Sequence, residues 1–475
     1  MSQIHREELK VARERAVLVA VELPGARLTT RERVHELTAL VATAGAEVVG
    51  HLHQKRRLPS GRSFIGKGKL EELRHLVEMV EATLVIFDHD LTPAQIRNIE
   101  RETSCKIIDR SELILDIFAR RATTHAAKLQ VEIAQLEYTY PRLRAMWDHL
   151  GQVTGGAPVG IGTRGPGEQQ LEIDRRLVQR RLKQLRNELE GILKRKEREV
   201  ASRNEDHFTV GLVGYTNAGK STLFNHVSDG GGAFANDKLF ATLSSRVEKW
   251  LVGTGTNVLV SDTVGFIRDL PHHLIASFRS TLEETVHGQL LLIVLDVADP
   301  TARQQLRIVE ETLESIGAAH QPRFLVLNKV DCLERPDDLL PWLKDYPGSI
   351  PISARTGDGV DELAQQVLET VLGPQLQVTV EIALASGRMV DFMERRTDIE
   401  DRDYEGDRVR YRVRLGKRQA EQLLSRGGDA SIDGVPLRQA IKDLWPEKSW
   451  AGPPFDGQDG VLTSEHTSTG DRELS

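Results

Sequence analysis

One octapeptide limits the fold of this chain more than any other feature: Gly214, Tyr215, Thr216, Asn217, Ala218, Gly219, Lys220 and Ser221, with Thr222 next in line. A strand-like run, FTVGLVGY, leads into it, and STLFNHVS, which reads as helix, leads out. The two glycines let the backbone curl until successive N–H groups converge on phosphate oxygens. The following helix adds its positive N-terminal end to the same anion site. In such a loop Lys220 reaches the terminal phosphates, and the Ser221 hydroxyl ligates Mg²⁺. The pattern fixes only four positions, so a chance match is the competing reading; the strand–loop–helix setting argues against it.

Three further elements follow in the order a guanine-nucleotide site requires. Asp262, Thr263, Val264 and Gly265 come after the strand-like Val258–Val260, where an acid can hold a water on Mg²⁺ and Gly265 can present its N–H to a γ-phosphate. Asn328, Lys329, Val330 and Asp331 end another apolar strand, 323–327. Guanine offers its N1–H and N2–H₂ donors side by side, and one carboxylate accepts both; adenine has no such pair, so Asp331 selects GTP by roughly 10⁴ over a base that leaves it unmet. Asn328 braces the loops and the Lys329 stem covers the base. Ser353, Ala354 and Arg355 supply backbone N–H groups to the guanine carbonyl. Between the phosphate loop and Asp262 lie Phe240, Ala241, Thr242 and Leu243, and Thr242 is the candidate second metal ligand and γ-phosphate sensor. The alternative for Thr242 is an ordinary loop threonine. Lys220, Thr242 and Gly265 are the catalytic candidates, and Ser221 with Thr242 the metal ligands. Phe266 stands where many signalling GTPases carry a glutamine that orients water. Phenylalanine cannot do this, which predicts slow hydrolysis unless a partner assists; simple core packing is the plainer reading, and both can hold.

At 475 residues the chain is expected to hold several domains. The reading is an α/β fold: a small α/β domain with a largely parallel sheet over 1–123, a helical hairpin over 124–204, a P-loop GTPase domain over 205–373, a small αβ domain over 374–447 and a disordered tail over 448–475. Strands are expected at 16–21, 48–52, 84–87 and 106–108, with helices at 31–44, 69–82 and 93–103. Leu129, Ile133, Leu136, Tyr140 and Leu143 recur at spacings of four and three, as do Leu171, Val178, Leu182, Leu185, Leu189 and Ile192. Two such stripes around the glycine-rich GQVTGGAPVGIGTRGPGE predict an antiparallel hairpin with a glycine-rich, non-helical tip and a first arm kinked at Pro141. Residues 174–203 carry eleven Lys/Arg against five Asp/Glu, which is either a solvated helix face or a phosphate-contacting one. A second basic cluster, Lys55–Lys69, reads as an exposed loop. Past Pro374, strands are expected at 377–382 and 408–414 and helices at 385–396 and 417–425. The acidic run 394–407 reads as a solvated face or loop.

The net charge of −7 argues against a protein that coats nucleic acid generically. No apolar run approaches the roughly 20 residues of a membrane span, and the charged start MSQIHREELKVARER lacks a signal peptide. Two cysteines, Cys105 and Cys332, cannot form a disulfide framework, and neither Cys332 nor the 15 histidines show metal-ligand spacing. The expectation is a cytoplasmic protein, monomeric in solution.

At these residues the chain resembles the HflX family of ribosome-associated GTPases, within the Obg-like group. The resemblance rests on Ile65-Gly-Lys-Gly-Lys69, Asp109-Arg110 with Leu113–Phe118, Lys128–Glu132, Pro141–Leu143, Gly162-Thr-Arg-Gly-Pro-Gly-Glu168, the phosphate loop, Phe240–Leu243 and Asp262–Ile267. It spans about residues 15–373. It implies an N-terminal domain, a helical linker and a GTPase domain that bind the large ribosomal subunit and its RNA, use GTP/GDP and Mg²⁺, and dissociate stalled or stress-damaged ribosomes, with hydrolysis stimulated by the ribosome. The hairpin tip would lie near the peptidyl-transferase region. Some members also bind ATP. Two departures stand out: Ser244-Ser-Arg follows Leu243 where the family usually has Asp-Pro-Thr, and Glu168-Gln-Gln replaces Glu-Thr-Gln. Residues 374–475 lie beyond the compact core and carry no assigned role. Two rival readings remain: a non-ribosomal GTP switch that docks a protein through the C-terminal αβ domain, and an RNA-remodelling NTPase with a second ATP site around Lys67–Lys69.

Overall fold

The first strand, RAVLVAVE, is apolar at six consecutive positions, the pattern of a parallel strand covered on both faces. In the computed structural model, which describes residues 14–25, 29–153, 166–228, 246–253, 256–268 and 288–445 (backbone alone at 141–153, 166–175, 197 and 201–206), this segment is β1 (Arg15–Glu22). It is followed by α1 (Thr30–Ala44), β2 (Glu47–Lys55), α2 (Lys67–Met79), β3 (Leu84–Phe87), α3 (Pro93–Thr103) and β4 (Lys106–Asp109). The sheet is parallel throughout, in the order β2-β1-β3-β4. Reciprocal caps start two of the helices: Thr29 with Glu32, and Thr92 with Gln95, the latter with Pro93 at the first helical position. Each expected element of this region is present within a few residues.

Helix α4 (Arg110–Arg121) holds the family-like segment Leu113–Phe118 and is not among the helices expected from the sequence. Asp109 starts it. Its carboxylate accepts from the Glu112 N–H at 2.9 Å and the Leu91 N–H at 3.1 Å, and takes the Tyr138 hydroxyl of the next helix at 2.7 Å. One side chain thus joins strand end, helix start and hairpin.

The hairpin arms are α5 (His125–Val153) and α6 (Pro166–Asp206). Contacts descend along one arm as they rise along the other: His125 with Glu188, Glu132 with Arg181, Tyr140 with Gln179. The arms are therefore antiparallel, sealed by Leu129 and Ile133 against Leu182, Leu185 and Leu189. Helix α5 continues through Pro141, so the proline does not end it. Residues 154–165 of the glycine-rich tip lie outside the described residues, as do residues 446–475, which include the whole expected tail.

The phosphate loop opens the second unit: β5 (Phe208–Gly214), α7 (Lys220–Val227), β6 (Arg246–Gly253), β7 (Thr256–Asp262), β8 (Leu290–Asp296), α8 (Ala302–Ser315), β9 (Arg323–Asn328), α9 (Leu340–Asp345), β10 (Ile350–Pro351) and α10 (Val360–Leu372). The sheet order is β10-β9-β8-β5-β7-β6, parallel except for the edge strand β6. From β5 the chain builds outward to β7 and β6 on one side, then crosses to β8 on the other. A parallel sheet of this kind opens a crevice at the carboxyl ends of its strands where the winding direction reverses. That point is the end of β5.

A third, antiparallel sheet has the order β12-β13-β11-β14-β15. Its elements are β11 (Leu376–Ala383), α11 (Gly387–Arg396), β12 (Asp398–Glu405), β13 (Arg408–Leu415), α12 (Lys417–Ser425), β14 (Ala430–Ile432), β15 (Val435–Pro436) and α13 (Leu437–Leu444). Strand β13, RVRYRVRL, buries Val409, Tyr411, Val413 and Leu415 and turns its arginines outward. The acidic run becomes the exposed edge strand β12, whose charges oppose edge-to-edge pairing with another chain.

The first two units share one apolar core. Leu18, Leu113 and Phe118 belong to the same buried cluster as Val213, Tyr215 and Phe266.

Candidate functional site

Strand β5 delivers the phosphate loop with a backbone that few residues could adopt. Gly214 has φ of 151°, and a Cβ there would collide with the Val294 carbonyl of β8. Gly219 has φ of 95°, and a Cβ there would run into the Asn328 amide. Asn217 is also left-handed, a conformation that asparagine tolerates better than most residues. Gly219 caps α7 without a side-chain acceptor, which leaves the first amides of the helix available to an anion.

Lys220 is buried and its Nζ donates to the carbonyls of Gly214 at 3.1 Å and Tyr215 at 2.7 Å. Burial pulls its pKa down to about 8, against the opposing pull of Asp262. The Ser221 hydroxyl donates to Asp262 Oδ2 at 2.7 Å, so the two candidate magnesium-site residues already meet. Thr222 follows in α7, half-buried. Thr263 donates to the Leu212 carbonyl at 2.6 Å and Val264 packs into the shared core, which fixes the backbone on both sides of the turn. A Cβ on Gly265 would lie 2.9 Å from Thr216 Cα and 3.0 Å from Lys220 Nζ. Only glycine brings its main chain this close to the lysine. The Thr216 hydroxyl is buried with no hydrogen-bond partner among the described residues, a donor set aside for something outside the chain.

On the base side, Asn328 is buried and spans two loops: its Nδ2 donates to the Ala218 carbonyl at 2.7 Å, and its Oδ1 accepts from the Ala354 N–H at 2.9 Å. Asn328 thereby ties the phosphate loop to the loop after β10. That bond also uses the Ala354 N–H which the sequence reading reserved for a guanine carbonyl, and Ser353 N–H goes to the Asp358 carbonyl at 2.9 Å. Arg355 is exposed beside them. Lys329 is left-handed and its Nζ meets Asp296 Oδ2 at 2.5 Å. Val330 and Asp331 lie in a short 3-10 turn, Val330–Cys332, with the Asp331 carboxylate exposed. The loops after β5, β7, β9 and β10 thus converge at one end of the sheet. Phe240, Ala241, Thr242 and Leu243 lie outside the described residues.

The phosphate cradle fits a nucleotide with its metal. Two positive-φ glycines shape the loop, Gly265 brings its main chain up to Lys220, a helix N-terminus opens on the same loop, and a hydroxyl–carboxylate pair suits a hard cation.

Sequence reasoning missed what lies behind this site. Tyr215 and Phe266 pair through their main chains: Phe266 N–H donates to the Gly214 carbonyl at 3.0 Å, and Thr216 N–H to the Phe266 carbonyl at 2.8 Å. The Phe266 ring is buried in the shared core, as the plainer reading of it held. Tyr215 hydroxyl donates to Glu36 of α1 at 3.0 Å and accepts from the Arg268 N–H at 3.1 Å. Arg268 grips Asp88 with two bonds, 2.8 and 3.0 Å, and also pairs with Glu36. Arg110 bridges Asp88 at 2.9 Å and Glu36 at 2.6 Å. Burial alone would raise the Asp88 pKa, but Arg110 and Arg268 hold it below the usual range. Tyr215 and Arg268 occupy positions that the nucleotide motifs leave free, so no motif could announce them. Phe266, aromatic where a polar residue was expected, was the available hint. Asp296 was missed as well, since its partner Lys329 is 33 residues away.

Comparison with known proteins fits this geometry. Family models match in succession along the chain: GTP-binding GTPase N-terminal over 31–119, GTP-binding GTPase Middle Region over 121–203, 50S ribosome-binding GTPase over 209–329 and HflX C-terminal domain over 340–433. GTPase HflX of Escherichia coli is 43% identical over 383 residues, covering 80% of this chain and 88% of that protein. The chain belongs to the HflX family of GTPases. GTPase HflX of Caldanaerobacter subterraneus is 41% identical over 400 residues, 84% of this chain and 90% of its own length. Among solved structures, a GTP-binding protein from Sulfolobus solfataricus in complex with GDP covers 75% of this chain and 98% of its own, at 24% identity and a TM-score of 0.41. As an HflX-family protein the chain is a GTP-hydrolysing enzyme. The family likeness extends to residue 433, past Gly373, where the sequence reading had ended it. The third sheet is therefore mostly the family's own C-terminal domain and not an appendage. No helix among the described residues is long and apolar enough to cross a membrane.

Proposed function

We propose that this chain is a Mg²⁺-dependent GTPase of the cytoplasm that binds the large ribosomal subunit and dissociates or rescues stalled ribosomes. The observation that carries the nucleotide part is the convergence of Lys220, the Ser221–Asp262 pair, Gly265 and Asn328 at the switch point of one sheet. In this reading the amides of Gly214–Ser221 hold the phosphates, and Lys220 leaves its two loop carbonyls to neutralise the β- and γ-oxygens. Ser221 and Thr242 hold the metal, which supplies positive charge to the oxygens that gain negative charge during hydrolysis. Gly265 orients the γ-phosphate through its N–H, and Asp331 accepts both donors of the guanine edge. Phe266 faces the core and cannot order water, so intrinsic turnover is slow and a group from the ribosome completes the site.

The ribosomal part is supported by the description of the family model over 209–329 and by α6, whose exposed arginines and lysines give a cationic face suited to RNA phosphates. The test is sedimentation with purified large subunits in a non-hydrolysable GTP analogue, together with GTP turnover measured with and without those subunits. The expected results are cosedimentation and a large stimulation of turnover. Absence of both refutes the ribosomal reading and leaves the GTPase intact.

A further inference from the structure

A second cavity, of about 400 Å³, lies between the GTPase domain and the third sheet. It sits at the start of β5, and seven residues of strand separate it from the phosphate loop, roughly 20 Å at the rise of a strand. Its walls are fixed by direct docking of the two domains. A Cβ on Gly416 would collide with the Leu372 carbonyl at the end of α10.

The lining is one-sided in charge. It contains Arg396, Arg418, Arg426 and His207, with the amide of Gln422 and the hydroxyl of Ser425, and no carboxylate. Among the described residues none of the three arginines is in an ion pair. The nearby Glu421 lies 4.0 Å from Lys417. Arg418 is half-buried, and its desolvation lowers the guanidinium's pKa, with Glu421 opposing. Two aromatic rings hold the arginines in place: Arg418 lies over Phe208 at 5.2 Å and Arg426 over Phe392 at 4.4 Å. Stacked guanidinium groups keep their edge donors free for an oxyanion. On the same domain Arg410, by contrast, is matched by Glu381 and Glu405. No carboxylate lines this cavity.

We propose that this interdomain cavity is a binding site for a phosphate-bearing anion, held by Arg418, Arg426 and Arg396. Three guanidinium groups exceed what one carboxylate can neutralise, and a cavity of this size is in the range of small-molecule sites. A di- or triphosphate group is the chemistry that fits. A free phosphorylated metabolite and an RNA backbone share that chemistry, and the concave shape favours the metabolite.

The test uses the full chain saturated with GDP, titrated calorimetrically with inorganic pyrophosphate and, separately, with a ten-residue uridine oligonucleotide at fixed ionic strength. Saturable pyrophosphate binding that excess GDP does not displace is expected. Arg418→Gln and Arg426→Gln should each weaken it at least tenfold, Arg418→Lys should retain most of it, and GDP affinity should stay within twofold. Should Arg418→Gln disturb domain docking, seen as a lowered melting temperature, the exposed Arg426 and Arg396 variants carry the test. Oligonucleotide binding with the same variant sensitivity, and none of pyrophosphate, assigns the phosphate to RNA. Binding of neither probe, binding indifferent to all three arginines, or pyrophosphate displaced by GDP overturns the proposal.

Discussion

Replacing Arg268 by alanine tests whether the phosphate-loop turn is held to the N-terminal domain by a buried ion cluster. The Arg268 side chain is 4% exposed, and its partners Asp88 and Glu36 are 0% and 14% exposed. Removal deletes two bonds to Asp88 and the pairing with Glu36. Breaking a buried pair from one side costs about 3–5 kcal/mol, because a desolvated charge is left behind. Asp88 is not stranded here, since Arg110 at 2.9 Å and Arg33 at 3.2 Å still face it. The cost therefore belongs at the lower end, about 3 kcal/mol. Arg395, paired with Asp391 at 2.7 Å on the surface of α11 and 76% exposed, is the control; its loss should cost under about 0.5 kcal/mol. Urea denaturation of the full chain, with each variant at the same GDP concentration, measures both. A cycle with Glu36→Gln should show coupling to Arg268 of about 1–3 kcal/mol. If Arg268→Ala proves indistinguishable from Arg395→Ala, the cluster is solvated and the reasoning fails.

Asp331→Asn should weaken GDP binding by about 10³-fold or more, since an amide presents a donor where guanine also presents donors; a fluorescent GDP titration measures this, and a loss under tenfold would place the base elsewhere. Gly214→Ala forces a methyl against the Val294 carbonyl at a φ of 151° and should leave nucleotide binding undetectable or the domain unfolded, as read by the same titration with circular dichroism. The Asp88 carboxyl, held below its ordinary pKa in the fold, contributes stability that is present above the unfolded value near 4 and lost as pH falls through the folded value. The fall in urea midpoint between pH 5 and pH 2.5 should accordingly be shallower in Asp88→Asn than in the parent, and equal slopes would remove Asp88 from the acid response.

The elements with the longest periodic signal were the most legible. Strands buried on both faces, such as β1 and β8, announce themselves as unbroken apolar runs, and the two leucine stripes of α5 and α6 give the antiparallel pair directly. Short pieces whose structure depends on tertiary partners were not. Strand β12 reads as an acidic loop because its only covered neighbour is β13, and β14 with β15 contribute five residues between them. In the site, glycine, lysine and asparagine positions were legible because the backbone or the nucleotide fixes their identity. Glu36, Asp88 and Arg268 were not, because charged residues far apart in sequence carry no mark of meeting in a core.

Their meeting alters how the site should be understood. Phe266 and Arg268 lie one and three residues beyond Gly265, the glycine that faces Lys220. A γ-phosphate that draws Gly265 toward itself must either carry Phe266 and Arg268 with it or strain the main-chain bonds of Phe266 to Gly214 and Thr216 and the bonds of Arg268 to Glu36 and Asp88. Tyr215 ties the phosphate loop to the same carboxylate from the other side. In the proposed site the residues beside the phosphates also dock the N-terminal domain, and any coupling between the two would be reciprocal. The segment that follows Gly265 is thus also part of the wall of the N-terminal domain's core, so the proposed γ-phosphate contact and the packing of that domain share one stretch of chain.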